Sequence, residues 1–186
     1  MPLFSSALER RLWAATLAVV IAIYSTLGLA RTLNEALLNR DLLTAAFGLG
    51  MVLVGATIVT QGLKTRPDIA GIGVVLGIMA AYFMVFTRMV LPEERSHLIE
   101  YSVVAVFIYE ALTERARQGR RIRVPALLAI LATGLVGALD ECIQAFLPSR
   151  TFDPQDMLFN ILAGVLAVAA SLVLGWVLQC RTRKQS

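Results

Sequence analysis

Residues 140–160 read DECIQAFLPSRTFDPQDMLFN. Asp140, Glu141, Gln144, Arg150, Asp153, Asp156 and Asn160 are packed there between two strongly apolar runs. Charged and amide groups beside membrane-crossing segments are costly unless they pair or face a water-filled site. The stretch therefore reads as a corner between two membrane helices whose polar ends meet, and the rest of the chain is placed outward from it.

The fifth apolar span runs from about Val124 to Phe146, closed by Pro148, and the sixth from about Pro154 to Leu178. At 100° per residue, Ala126, Thr133, Gly137, Asp140, Glu141 and Gln144 share one arc of the fifth span. Asp153, Asp156, Asn160, Ala163, Gly164, Ala167, Ser171 and Gly175 share one arc of the sixth. Small residues let helix backbones approach and polar ones avoid lipid, so the two stripes are expected to face each other. Asp153-Pro154-Gln155-Asp156 also reads as a helix start, with a cap, a proline at the first position and an acid in the first turn.

Before this pair, apolar runs at Leu12–Ala30, Leu42–Leu63, Ile69–Thr87 and His97–Leu112 give four more spans. Each is near the length that crosses a hydrocarbon core, about 20 residues, with the fourth short and carrying Glu100 and Glu110. Arg10-Arg11 before the first run and Gly28-Leu29-Ala30 after it also suit a secretory signal. The run is longer than a signal core and the chain stays apolar beyond it, so the span is read as retained. Gly73, Gly77 and Ala81 recur every four residues in the third span, a packing signature. Pro92-Glu93-Glu94 suits the first turn of a helix.

Composition agrees with this reading. Apolar residues make up 58% of the 186, and the mean hydropathy is +0.73. That is too oily for a surface that meets water on all sides. The net charge of +4 comes from short Arg-rich loops, which points to membrane topology and not to nucleic acid. One side of the six-span arrangement holds twelve Lys and Arg and the other five. The positive-inside rule puts both termini in the cytoplasm. Arg115, Arg117, Arg120, Arg121 and Arg123 then face anionic inner-leaflet lipid. Seven of the thirteen acids, including Glu100, Asp140, Glu141, Asp153 and Asp156, fall toward the outer side. Cys142 and Cys180 lie at opposite ends of the last two spans and are read as free thiols.

His97, Glu100 and Tyr101 share a helix face at i, i+3 and i+4. If that face joins the corner, His97, Glu100, Asp140 and Glu141 are candidates for acid, base or relay work. Tyr101, Gln144, Arg150, Asp156 and Asn160 are the candidate ligand-binding groups. No catalytic residue is assigned. A metal reading would gather His97, Glu100, Asp140, Glu141 and Asp156, but no metal-site signature accompanies them, so none is assigned and any cofactor is left unnamed. A single histidine excludes a multi-histidine zinc centre within one chain. The alternative reading of each polar residue is structural: Asn160 and Gln144 as interhelical hydrogen-bond glue, Arg150 as an ion-pair partner.

At these residues the chain resembles the VanZ-like family of bacterial membrane proteins. The resemblance rests on His97-Leu98-Ile99-Glu100-Tyr101, then Asp140-Glu141-x-x-Gln144-x-Phe146-x-Pro148-x-Arg150, then Asp156-x-x-x-Asn160-x-x-x-Gly164. It covers about residues 88–175, departing at Ser149, where relatives often carry Gly, and at Glu94, where they often carry Lys. The resemblance implies a multi-pass protein of the bacterial inner membrane. The family's namesake is associated with low-level resistance to the glycopeptide teicoplanin.

The expectation is an all-α polytopic bundle of about six spans forming one domain over residues 1–186, both ends cytoplasmic. Its outward polar cluster would bind or modify a lipid-linked or cell-envelope component. Whether it is an enzyme is left open: the alternatives are a membrane-embedded acid–base or metal-dependent hydrolase or transferase, and a small transporter.

Overall fold

A computed structural model describes residues 3–27, 69–88, 92–147 and 154–185. These form five helices and, among the described residues, no strand: α1 (Ala7–Leu27), α2 (Ile69–Arg88), α3 (Pro92–Arg117), α4 (Pro125–Gln144) and α5 (Pro154–Gln185). The expected second span lies outside the described residues, as do Ser149, Arg150 and Asp153.

The helix boundaries follow local chemistry. Prolines open α3, α4 and α5 at Pro92, Pro125 and Pro154; a proline in the first turn lacks only an N–H that had no helical partner. At the head of α1, the Ser6 hydroxyl accepts from the Glu9 N–H at 3.0 Å, and Glu9 Oε2 accepts from the Ser5 N–H at 2.6 Å. This reciprocal cap satisfies two otherwise orphaned donors. The end of α3 turns on Gly119 at φ +83. Gly119 N–H bonds the Ala116 carbonyl and Arg120 N–H the Arg115 carbonyl, the paired closure that needs a residue in the left-handed region.

Helix α3 is the centre of the bundle, packed against α5, α1 and α4, while α2 lies on α5. Its buried residues His97, Leu98, Tyr101, Val104, Ala105, Ile108 and Ala111 repeat at three- and four-residue intervals, the spacing of a helix face. It extends past the expected fourth span at both ends. Direction follows from contacts. Glu9 pairs with Arg115 at 3.6 Å, so the start of α1 lies beside the end of α3. Tyr24 Oη donates to the Val136 carbonyl at 2.8 Å, tying the end of α1 to α4. The ends of α1 and α4 and the starts of α3 and α5 therefore gather at one pole. The arginines of the α3–α4 turn lie at the other.

Helices α4 and α5 interlock through missing side chains. A Cβ on Gly137 would sit 2.7 Å from Asn160 Cβ, and one on Gly134 would sit 3.1 Å from Ile161 Cγ1. One from Gly164 would meet Thr133 Cγ2 at 3.4 Å. The buried face of α4 is Ala129, Thr133, Gly137, Asp140, Glu141 and Gln144, the expected stripe with Ala129 in place of the half-buried Ala126. On α5, Asn160, Ala163, Gly164 and Ala167 are buried as expected and Val168 joins them. The α2 stripe behaves differently: Gly73 and Gly77 are exposed and, among the described residues, nothing lies near enough to use the space they leave.

The outward surfaces of α4 and α5 are oil. Leu127, Leu128, Leu131, Leu135 and Leu139 are exposed on α4, and Leu158, Val165, Leu172 and Trp176 on α5. Both helices are long and apolar enough to cross a membrane, yet only 28% of either apolar window is buried. A core helix of a water-soluble domain would be mostly buried; here polar groups face inward and leucines outward. Among the described residues these are the two such helices. Cys142 and Cys180 are free thiols.

Candidate functional site

The buried polar groups at the pole where α3 and α5 begin come from three helices. Periodicity on α3 sets His97 and Tyr101 one above the other, and their rings stack with centroids 5.7 Å apart and planes 9° from parallel. On α4, Asp140 and Glu141 are both fully buried. His97 Nδ1 lies 3.7 Å from Asp140 Oδ2, too long for a hydrogen bond but within ion-pair range. One turn further along α4, Gln144 Nε2 donates to Asp140 Oδ2 at 3.2 Å and to Glu141 Oε1 at 3.4 Å. One ligand atom each from His97, Asp140 and Glu141 lie within 4.8 Å of one another.

Asn160 of α5 completes the floor. It is fully buried in the notch left by Gly137, one turn below the carboxylates. Neither its Oδ1 nor its Nδ2 has a hydrogen-bond partner, and the same holds for His97 Nδ1; the buried Tyr101 hydroxyl faces Asp140. Buried polar atoms are seldom left so, because each loses its water without compensation. Other buried hydroxyls here do find partners: Thr133 Oγ1 bonds the Ala129 carbonyl at 2.8 Å and Thr16 Oγ1 the Leu12 carbonyl at 2.9 Å. At the polar pole the unanswered atoms belong to His97 and Asn160; Ser5 Oγ and Thr113 Oγ1 are unanswered at the opposite pole.

Of the expected site residues, His97, Tyr101, Asp140, Glu141, Gln144 and Asn160 are buried together. Glu100 and Asp156 are only half-buried; Asp156 sits in the first turn of α5, where an acid complements the helix dipole. Of the five residues that a metal reading would gather, His97, Asp140 and Glu141 bring ligand atoms within 4.8 Å of one another. Arg150 lies outside the described residues. Of the five arginines expected to face lipid, Arg117, Arg121 and Arg123 are exposed, whereas Arg115 turns inward to the buried Glu9.

Two contributors escape the sequence reading. Tyr24 seals the α1 side, and its position at the end of an apolar run, a ring with one polar tip, was the available signal. Ser102 takes part in a hydrogen bond of 3.0 Å with Tyr82 Oη and donates to the Ala163 carbonyl at 3.4 Å, linking α2, α3 and α5 below the cluster.

Comparison with known proteins gives the class. The family model described as VanZ/LLP1 matches residues 15–175. The chain belongs to the VanZ/LLP1 family, and with its two outward-oily helices it is a membrane protein. The match reaches back to residue 15, well before the motifs that carry the resemblance. No curated protein and no solved structure matches the chain at a significant level.

Proposed function

We propose that this chain is a multi-pass protein of the bacterial inner membrane, both termini cytoplasmic, whose polar pole opens outward and binds a lipid-linked component of the cell envelope. The observation that carries the reading is the inversion of the bundle. Asn160 and His97 bring unpartnered polar atoms to the buried pole of a body clad in leucine. A ligand suited to that arrangement has an apolar chain that stays in the bilayer and a polar head able to accept and donate hydrogen bonds. The excess of arginine at the opposite pole supports the orientation.

A second reading is turnover at the same place. An imidazole nitrogen 3.7 Å from a carboxylate, beside a second carboxylate held by Gln144, is the material of general acid–base catalysis.

The test is capture. The protein is purified from its own membrane in mild detergent and the lipids that travel with it are identified by mass spectrometry. A lipid bearing a glycan or diphosphate head should be enriched over the bulk membrane with wild type and lost with Glu141→Gln. Bulk phospholipid in bulk proportion from both would end the proposal. Turnover is judged separately, by incubating captured lipid with His97→Ala and Glu141→Gln; unchanged turnover by both removes the acid–base reading. Family membership makes teicoplanin susceptibility the whole-cell readout.

A further inference from the structure

We infer that His97, Asp140 and Glu141 form a site for a single divalent first-row cation, Zn²⁺ or Mn²⁺. The three residues offer one imidazole nitrogen and two carboxylates, with one ligand atom from each inside a 4.8 Å circle. All three are buried. Nitrogen with carboxylate oxygen is a donor set that suits Zn²⁺ and Mn²⁺. Three protein ligands also leave room for a further, exchangeable one, as catalytic sites do.

Distance admits an ion beside the plain His–Asp ion pair. A hydrogen bond would draw the two atoms to about 3 Å. Two ligands on one tetrahedral ion, each about 2.1 Å from it, stand roughly 3.4 Å apart. His97 Nδ1 and Asp140 Oδ2 are 3.7 Å apart, near that spacing, and the full set, within 4.8 Å, closes on one ion by small side-chain shifts. The independent observation is the state of the imidazole: His97 is 5% exposed, and Nδ1, the atom aimed at the carboxylates, has no hydrogen-bond partner. Gln144 donates to one oxygen of each carboxylate, the outer-shell support that fixes ligand orientation. Tyr101 stacked on the imidazole holds the ring plane.

The ion site uses the same pole as the lipid-binding reading but does not rest on it. Protein is produced without a polyhistidine tag, and its metal content is measured by plasma mass spectrometry. Wild type should carry about one ion per chain, lose it to chelator with a fall in melting temperature, and recover on adding Zn²⁺ or Mn²⁺. His97→Ala and Glu141→Gln should fall below about a tenth of that occupancy, because loss of one of three ligands removes most of the affinity. Cys142→Ser should keep the ion, which excludes metal held by the exposed thiol. If the variants do not fold, Co²⁺-loaded wild type decides: a visible d–d band shifted and intensified relative to aqueous Co²⁺, saturating at about one ion per chain, marks the nitrogen–oxygen site, and a spectrum equal to aqueous Co²⁺ overturns the proposal. So does wild type that holds no metal and melts at the same temperature with or without Zn²⁺, Mn²⁺ and Co²⁺. Retained metal without captured lipid supports the ion site and sinks the lipid reading; captured lipid without metal does the reverse.

Discussion

Gly137→Ala tests the helix pair that builds the site. The new Cβ would stand 2.7 Å from Asn160 Cβ, 2.8 Å from Nδ2 and 3.0 Å from Cγ, against about 3.5–4.0 Å for carbon atoms at rest. Asn160 Cβ is fixed to its backbone, so no rotamer change relieves that contact and α4 and α5 must move apart. Overpacking of this kind costs about 1–3 kcal/mol, while alanine in place of glycine inside a helix returns up to about 1 kcal/mol. A 2.7 Å contact with a backbone-fixed carbon belongs at the upper end of that cost, so the net expectation is a loss of about 2 kcal/mol. Gly77→Ala, where nothing described lies within 4 Å, should be neutral or gain up to about 1 kcal/mol. The assay is unfolding in mixed micelles on raising the denaturing detergent fraction, followed by far-UV circular dichroism. A double-mutant cycle sharpens it: Asn160→Gly removes the offending carbon and should relieve Gly137→Ala, whereas Asn160→Ala keeps it and should relieve less. Gly137→Ala as stable as wild type, or equal relief by both partners, would refute the packing.

Other outcomes follow from single contacts. Ser6→Ala removes the hydroxyl that caps α1 and should cost about 1 kcal/mol in the same unfolding assay. Gln118 donates to Glu114 Oε1 at 2.9 Å; that bond, then one from Ser6, holds the Glu114 carboxyl below its ordinary value of 4.5. Because the folded value is the lower one, the resulting stability is complete above pH 4.5 and is lost as pH falls through the folded value. Gln118→Ala should therefore flatten the pH dependence below 4.5, and an unchanged profile would count against the bond. In a background with Cys142→Ser and Cys180→Ser, Ser149→Cys should react with an impermeant thiol reagent in intact cells. Protection until the cells are permeabilised would reverse the orientation.

Much of this protein is legible in the chain because helix periodicity and lipid chemistry act on local sequence. The arc from Thr133 to Gln144 predicted the buried face of α4 almost residue by residue, since small and polar side chains there have one direction in which to avoid lipid. His97 and Tyr101 could be set on one face for the same reason. Glu100 shares their spacing and motif, and the packing of α3 leaves it half-buried at the edge of that face. What spacing does not encode is depth. The seating of Asn160 in the Gly137 notch and the reach of Tyr24 to the Val136 carbonyl depend on how α1, α4 and α5 are offset along their axes. The Ser6–Glu9 cap was readable from its S-x-x-E spacing but sits outside the apolar pattern that guided the reading. Val168 is buried because it packs with Val104, Ala105 and Ile108, and a stripe of small residues does not include it.

The central claim is that the polar pole is a ligand site and not interhelical glue. Its most direct measurement is equilibrium binding of a purified polyisoprenyl-diphosphate-linked glycan to the protein in lipid nanodiscs, wild type against Glu141→Gln and the surface control Cys142→Ser. A ligand site gives saturable binding by wild type and Cys142→Ser, and at least about tenfold weaker binding, some 1.4 kcal/mol, by a Glu141→Gln protein that still melts cooperatively. Equal binding by all three, or none above empty nanodiscs, would contradict it.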